Sequence, residues 1–204
     1  MTSSSLSLRV TGPLAPLVGM LFGALGGAVY WLAAQIWPSS VALILAMAAT
    51  ALASPEWRGA AATRFDLLAL VLCLFAKFNT LMALSAAKLP FAAPMNFAPA
   101  LIMICGYAAS YALLVFAMAT RGSIPASRIG YPALILAMVL GFAPATLLGI
   151  PGLIGLAAAV ITCLSLMAFI KYKSIGSSGG VLDLTRLTTE AAFYMGALAS
   201  WRFI

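Results

Sequence analysis

Only four side chains in this 204-residue chain carry a carboxylate: Glu56, Asp66, Asp183 and Glu190. Carboxylates hold divalent metals and pair with buried cations, so these four bound the acid chemistry open to the protein. Near two of them runs "IGSSGGVLDLTRLTTEAAF", residues 175 to 193. Its Gly176, Ser177, Ser178, Gly179 and Gly180 form a small, polar stretch whose backbone N–H groups could cradle an anion. A plain flexible connector fits the same composition. Glu190 follows about one turn inside the last apolar segment, where an isolated charge is costly and must either pair or snorkel to the interface. Lys77 stands deep inside "LFAKFNT", and buried charges in a helix bundle pair, so Lys77 with Glu190 is the first candidate ion pair. There is no histidine, which removes the most usual general base and the commonest zinc or haem ligand. Cys73, Cys105 and Cys163 sit singly in apolar runs and read as small buried hydrophobes; no metal ligand set emerges.

The elements that must position these groups are lipid-embedded. Hydrophobic residues make up 64% of the chain and charged residues 7%, with a mean hydropathy of +1.12. So few charges cannot solvate a water-soluble fold, in which about 25% of residues are charged. The chain is therefore expected to be all-α: a polytopic integral membrane helix bundle, multi-pass in a cell inner membrane. Continuous apolar runs, without alternation, argue against a barrel. A polar tail over 1–13 precedes a single transmembrane domain over 14–204. Apolar segments fall at roughly 14–36, 39–54, 65–86, 95–119, 131–149, 151–170 and 187–203, about seven transmembrane helices in all. The second and last are short, and Pro99 and Pro144 are expected to kink their helices or to mark an irregular segment lining the protein interior. Seven spans put Arg9, Arg58, Arg64, Arg121, Arg128, Lys171, Lys173 and Arg186 on one side and only Lys88 and Arg202 on the other. That asymmetry predicts a cytoplasmic N-terminus. It also accounts for the net charge of +7 through the lipid bilayer, with no nucleic acid needed. Gly19, Gly23 and Gly27 recur every fourth residue on the first helix, a face for close helix contact within the chain or with other membrane proteins.

The segments "PLVGMLFGALGGAVYWLA", "LLALVLCLFAKFNTLMAL" and "IGSSGGVLDLTRLTTEAAFYMGALA" resemble, in order and spacing, the cobalamin synthase family. The resemblance implies a polytopic adenosylcobinamide-GDP ribazoletransferase that needs Mg2+ and binds corrinoid and nucleotide ligands. Lys77 falls on a lysine common in the family's third segment, and Glu190 on the second glutamate of its closing motif. The departures are chemical. The family's aspartate-rich stretch after the second helix is deleted, leaving Glu56 and Asp66. Gly180 stands where the closing loop has an aspartate, Leu187 where it has its first glutamate, and an arginine usual in the fourth segment falls near Cys105. Transfer at a pyrophosphate needs magnesium held by clustered oxygens. The resemblance therefore implies a catalytically degenerate member, reused as an accessory subunit, scaffold or small-ligand binder. The alternative is an active but divergent transferase using Glu56, Asp66, Asp183 and Glu190 around magnesium.

Overall fold

A computed structural model describes residues 12–54, 64–85, 97–120, 130–172 and 179–201, with the backbone alone at 64–66 and 179–180. Among the described residues seven helices run in order: α1 (Ala15–Ala33), α2 (Ser39–Ala53), α3 (Arg64–Leu84), α4 (Ala98–Thr120), α5 (Tyr131–Thr146), α6 (Ile150–Tyr172) and α7 (Gly179–Trp201). No strand occurs among the described residues, and the protein is an all-α bundle. Regular helix follows from the composition. In apolar surroundings only intrasegment hydrogen bonds satisfy every backbone group of a lone segment. Prolines sit where a missing N–H is harmless: Pro38 caps α2, and Pro16, Pro132 and Pro151 lie in the first turns of α1, α5 and α6.

One expectation about proline changes here. Pro99 is the second residue of α4 rather than an interior kink, because a first-turn N–H has no intrahelical acceptor to lose. Pro144 lies in the last turn of α5, and its carbonyl accepts the Cys105 thiol at 3.1 Å. The turn between α5 and α6 forms around Gly149, whose φ of +65° is the left-handed conformation glycine adopts freely. The largest difference is α7. Its first helical residue is Gly179, so it spans 23 residues where the apolar pattern suggested a short segment from 187.

Helix direction can be read from which residues meet. On α1, Gly19 faces Tyr107 and Tyr111, Gly23 faces Ile104, and Gly27 faces Ala100, so α1 and α4 run antiparallel. Gly141 beside Ala108 and Ala112 sets α5 antiparallel to α4, whereas Cys163 beside Leu113 and Met167 beside Thr120 set α6 parallel to it. Gly155 and Gly196 bring α6 and α7 together; Gly106 meets Tyr194 while Arg186 lies against Tyr111, so α7 is antiparallel to α4 and hence to α6. Cys73 meets Thr188 and Lys77 meets Glu190, which makes α3 and α7 parallel. The short 34–38 connection folds α2 back along α1, with Thr50 against Gly26. Direction therefore alternates along the whole chain. One end of the bundle carries the starts of α1, α3, α5 and α7 and the ends of α2, α4 and α6; the other carries the opposite helix ends.

α4 is the axis of this bundle and is buried along almost its full length. The outer faces are apolar and exposed, Leu21, Leu52 and Ile161 among them, as expected where the solvent is hydrocarbon. Exposed Tyr131 and Tyr172 lie at one end, and exposed Trp31 and Trp37 at the other, the distribution of an interfacial aromatic belt. Four helices (α1, α4, α6 and residues 67–84 of α3) are long and apolar enough to cross a membrane. α2 and α5, at 15 and 16 residues, are shorter than the roughly 20 residues of a full hydrocarbon span.

Because apolar side chains gain little from leaving lipid for one another, close backbone approach carries much of the association. A Cβ on Gly23 would stand 2.6 Å from the Ile104 Cα, with no flexible side chain able to yield. Gly23→Leu is expected to destabilise the bundle by about 1–3 kcal/mol. Ala24→Leu, on the exposed side of the same helix, should stay within about 0.5 kcal/mol. Detergent-driven unfolding followed by circular dichroism measures both; equal effects would contradict this packing.

Candidate functional site

α7 presents Arg186, Glu190 and Tyr194 four residues apart, hence on one face. That face meets Lys77 of α3 and Tyr107 of α4. Glu190 is the middle residue of α7, and Lys77 and Tyr107 each lie within a turn of the middle of their helices, so the cluster sits at mid-depth. Lys77, Arg186 and Glu190 are 6%, 1% and 1% exposed. Charges so placed have to be satisfied by the protein itself.

The geometry does this around Glu190. Its Oε1 accepts the Lys77 ammonium at 2.5 Å and the Tyr194 hydroxyl at 2.9 Å, and its Oε2 receives Arg186 at 3.5 Å. Lys77 donates a further hydrogen bond to the Tyr107 hydroxyl at 3.0 Å and lies 4.3 Å from the centre of that ring. The Arg186 guanidinium stands 5.0 Å from the Tyr111 ring centre and 5.8 Å from that of Tyr107. Three tyrosines thus surround two cations, and their electron-rich faces spread positive charge that one carboxylate cannot neutralise alone. Gly106 makes room: any Cβ there would strike the Tyr194 ring. Thr185, Thr188 and Thr189 turn their hydroxyls onto carbonyls of their own helix, so they add no free polar atom to the lining.

Of the four acids named from the sequence, the two whose side chains are described, Asp183 and Glu190, stand apart. Asp183 lies within α7, half-buried, and not in a connecting loop. It is seven residues before Glu190, about 10 Å along the helix axis at 1.5 Å per residue. Asp66 falls in the first turn of α3, its side chain outside the described residues, and Glu56 lies outside them altogether. Gly176, Ser177 and Ser178 are also outside the described residues, whereas Gly179 and Gly180 open α7 and belong to helix. Arg186, expected among the loop cations, is buried beside Glu190; helix starting at Gly179 carries it two turns into the bundle. Gly19, Gly23 and Gly27 lie against α4 of the same chain. Cys105 is buried in the core, and Leu187 packs against Leu70.

Magnesium binds about six oxygens at roughly 2.1 Å, commonly one or two carboxylates with phosphates and waters. Among the described residues no three His, Cys, Asp or Glu side chains gather to hold a metal. Glu190, already holding two cations and a tyrosine, and Asp183, two turns away, do not fit a shared magnesium site. The fold and cluster define a class: an α-helical bundle with membrane-length apolar helices, organised around a buried, internally satisfied charge cluster. Comparison with known protein families, curated proteins and solved structures gives no match.

Removing one member of a buried pair strands the other. Lys77→Leu is expected to cost about 3 kcal/mol of stability, and Glu190→Leu more, since it leaves two cations facing each other. The double variant should cost less than the sum of the singles. Unfolding in detergent micelles reads all three; strict additivity would show that the contact carries no coupling.

Proposed function

We propose that this chain is a multi-pass protein of a cell inner membrane, similar to the cobalamin synthase family in its bundle but not in its chemistry. In this reading it serves as an accessory subunit or scaffold of a larger membrane complex. The observation that carries the reading is the engagement of both Glu190 oxygens by Lys77, Tyr194 and Arg186. The resemblance puts this carboxylate in the closing motif of a magnesium-dependent transferase, and here it is a structural counter-ion. The deletion after α2, Gly180 and Leu187 remove the other acids from that pattern.

Topology supports the membrane orientation. With the directions found for α1 to α7, the end bearing the start of α1 carries Arg64 and Lys171, next in sequence to Arg58, Arg121, Arg128 and Lys173, which lie outside the described residues. The positive-inside rule puts that end in the cytoplasm, and it still does so with Arg186 moved from the loops into the bundle. The connections between the helices are too short to hold a catalytic domain of their own. The glycine face of α1 is used within the chain, so a partner docks elsewhere, on the lipid-facing surface.

Native mass spectrometry of the tagged protein, extracted in mild detergent from its own membranes, tests the proposal. The expected result is a stoichiometric complex with another membrane protein, together with no magnesium-dependent GMP release from adenosylcobinamide-GDP and α-ribazole. Arrival alone, with GMP release that Asp66→Asn abolishes, would overturn it in favour of the active transferase.

A further inference from the structure

α7 differs from the other long helices in a way that bears on how it reaches the membrane interior. α1, α3, α4 and α6 each contain a stretch apolar enough to span; α7, at 23 residues, is long enough but does not. It carries Asp183, Arg186 and Glu190 within eight consecutive positions and is the least apolar of the seven. On its own, a segment with an arginine and a glutamate near its centre is poorly retained by a bilayer. Within the bundle those groups are buried and held by Lys77, Tyr107, Tyr111 and Tyr194. Lys77 is the one charged partner that another helix brings to Glu190 among the described residues. Its helix precedes α7 in the chain, and the two run parallel and in contact from Leu70–Leu187 through Cys73–Thr188 to Lys77–Glu190.

We infer that α7 is a conditional span, which crosses the membrane only when Lys77 of α3 is present to receive Glu190. Without that partner Glu190 keeps only Arg186 and Tyr194, both on its own helix, and the aqueous side of the membrane serves its charge better. Arg186 and the adjacent Lys171 and Lys173 favour retention on the basic, entry side. The side on which the C-terminus comes to rest is therefore set by a residue 113 positions upstream of Glu190. This inference rests on the seven-span topology and is independent of whether the protein is a scaffold or an enzyme.

The test uses the full chain, synthesised in vitro into microsomes so that topology is read before degradation can remove a misfolded product. A glycosylation acceptor at the C-terminus reports translocation of the end of α7. A second acceptor, inserted within 86–96, reports the same face of the membrane after α3. In the natural sequence both acceptors are expected to be used. Lys77→Leu should lower use of the C-terminal acceptor at least about five-fold, the order expected when a mid-helix charge loses its partner. The 86–96 acceptor should not change. Lys77→Arg should retain C-terminal translocation. Lys77→Leu combined with Arg186→Leu and Glu190→Leu should restore it, because the helix then needs no partner. Undiminished C-terminal glycosylation in Lys77→Leu would overturn the inference, as would loss of both acceptors together, which would place the effect on α3 itself. Failure of the C-terminal acceptor in the natural sequence, with the 86–96 acceptor used, would instead refute the seven-span topology.

Discussion

The contact between Lys77 and Glu190 constrains everything around it. It lies at mid-depth, where neither side chain reaches water, and each charge is tolerable only because the other is present. α4 has to supply tyrosines rather than aliphatic side chains at 107 and 111, and α7 a tyrosine at 194. Gly106 has to lack a side chain for Tyr194 to reach Glu190. α3, which is otherwise largely exposed to lipid, is held in register with α7 by this contact and by the small cluster of Leu70, Leu74 and Leu187. The rest of the bundle is joined differently. Glycines on α1, α5, α6 and α7 bring backbones close around α4 and at the α6–α7 contact, and shape rather than charge fixes those helices.

These two kinds of contact were not equally legible in the sequence. The segments, their alternation and the class of protein follow from apolar runs long enough to be unmistakable. The glycines of α1 are visible as a period of four, but a period does not name its partner, and only the structure assigns it to Ala100, Ile104 and Tyr107. Lys77 and Glu190 stand out as charges with nowhere else to go. Arg186 does not, because the Gly–Ser stretch before it has loop composition and the positive-inside asymmetry draws any nearby arginine to the loops. What overrides both signals is tertiary. A helix is stable at 179–186 because Glu190, Tyr107 and Tyr111 await Arg186, which local propensity cannot register. The three threonines at 185, 188 and 189 add to the polar look, yet inside the helix their hydroxyls return to its own carbonyls. Pro99 misled in the opposite direction, since proline in a first turn and proline in an interior look alike until the boundary is known.

The functional account rests on what a carboxylate can do in a given environment. A glutamate exposed to a loop with other acids nearby is a metal ligand in waiting. The same glutamate bridged by a lysine, an arginine and a tyrosine in the bundle interior is a fastener.

The most direct measurement is the infrared carboxylate band of Glu190. The chain has two glutamates, so 13C-glutamate labelling of the Glu56→Gln variant isolates it. If Glu190 is a counter-ion committed to Lys77 and Arg186, its band stays fixed as magnesium is titrated and shifts when Lys77 is replaced by leucine. A saturable shift with magnesium in the presence of Lys77 would show a carboxylate free to bind metal, and would contradict the account.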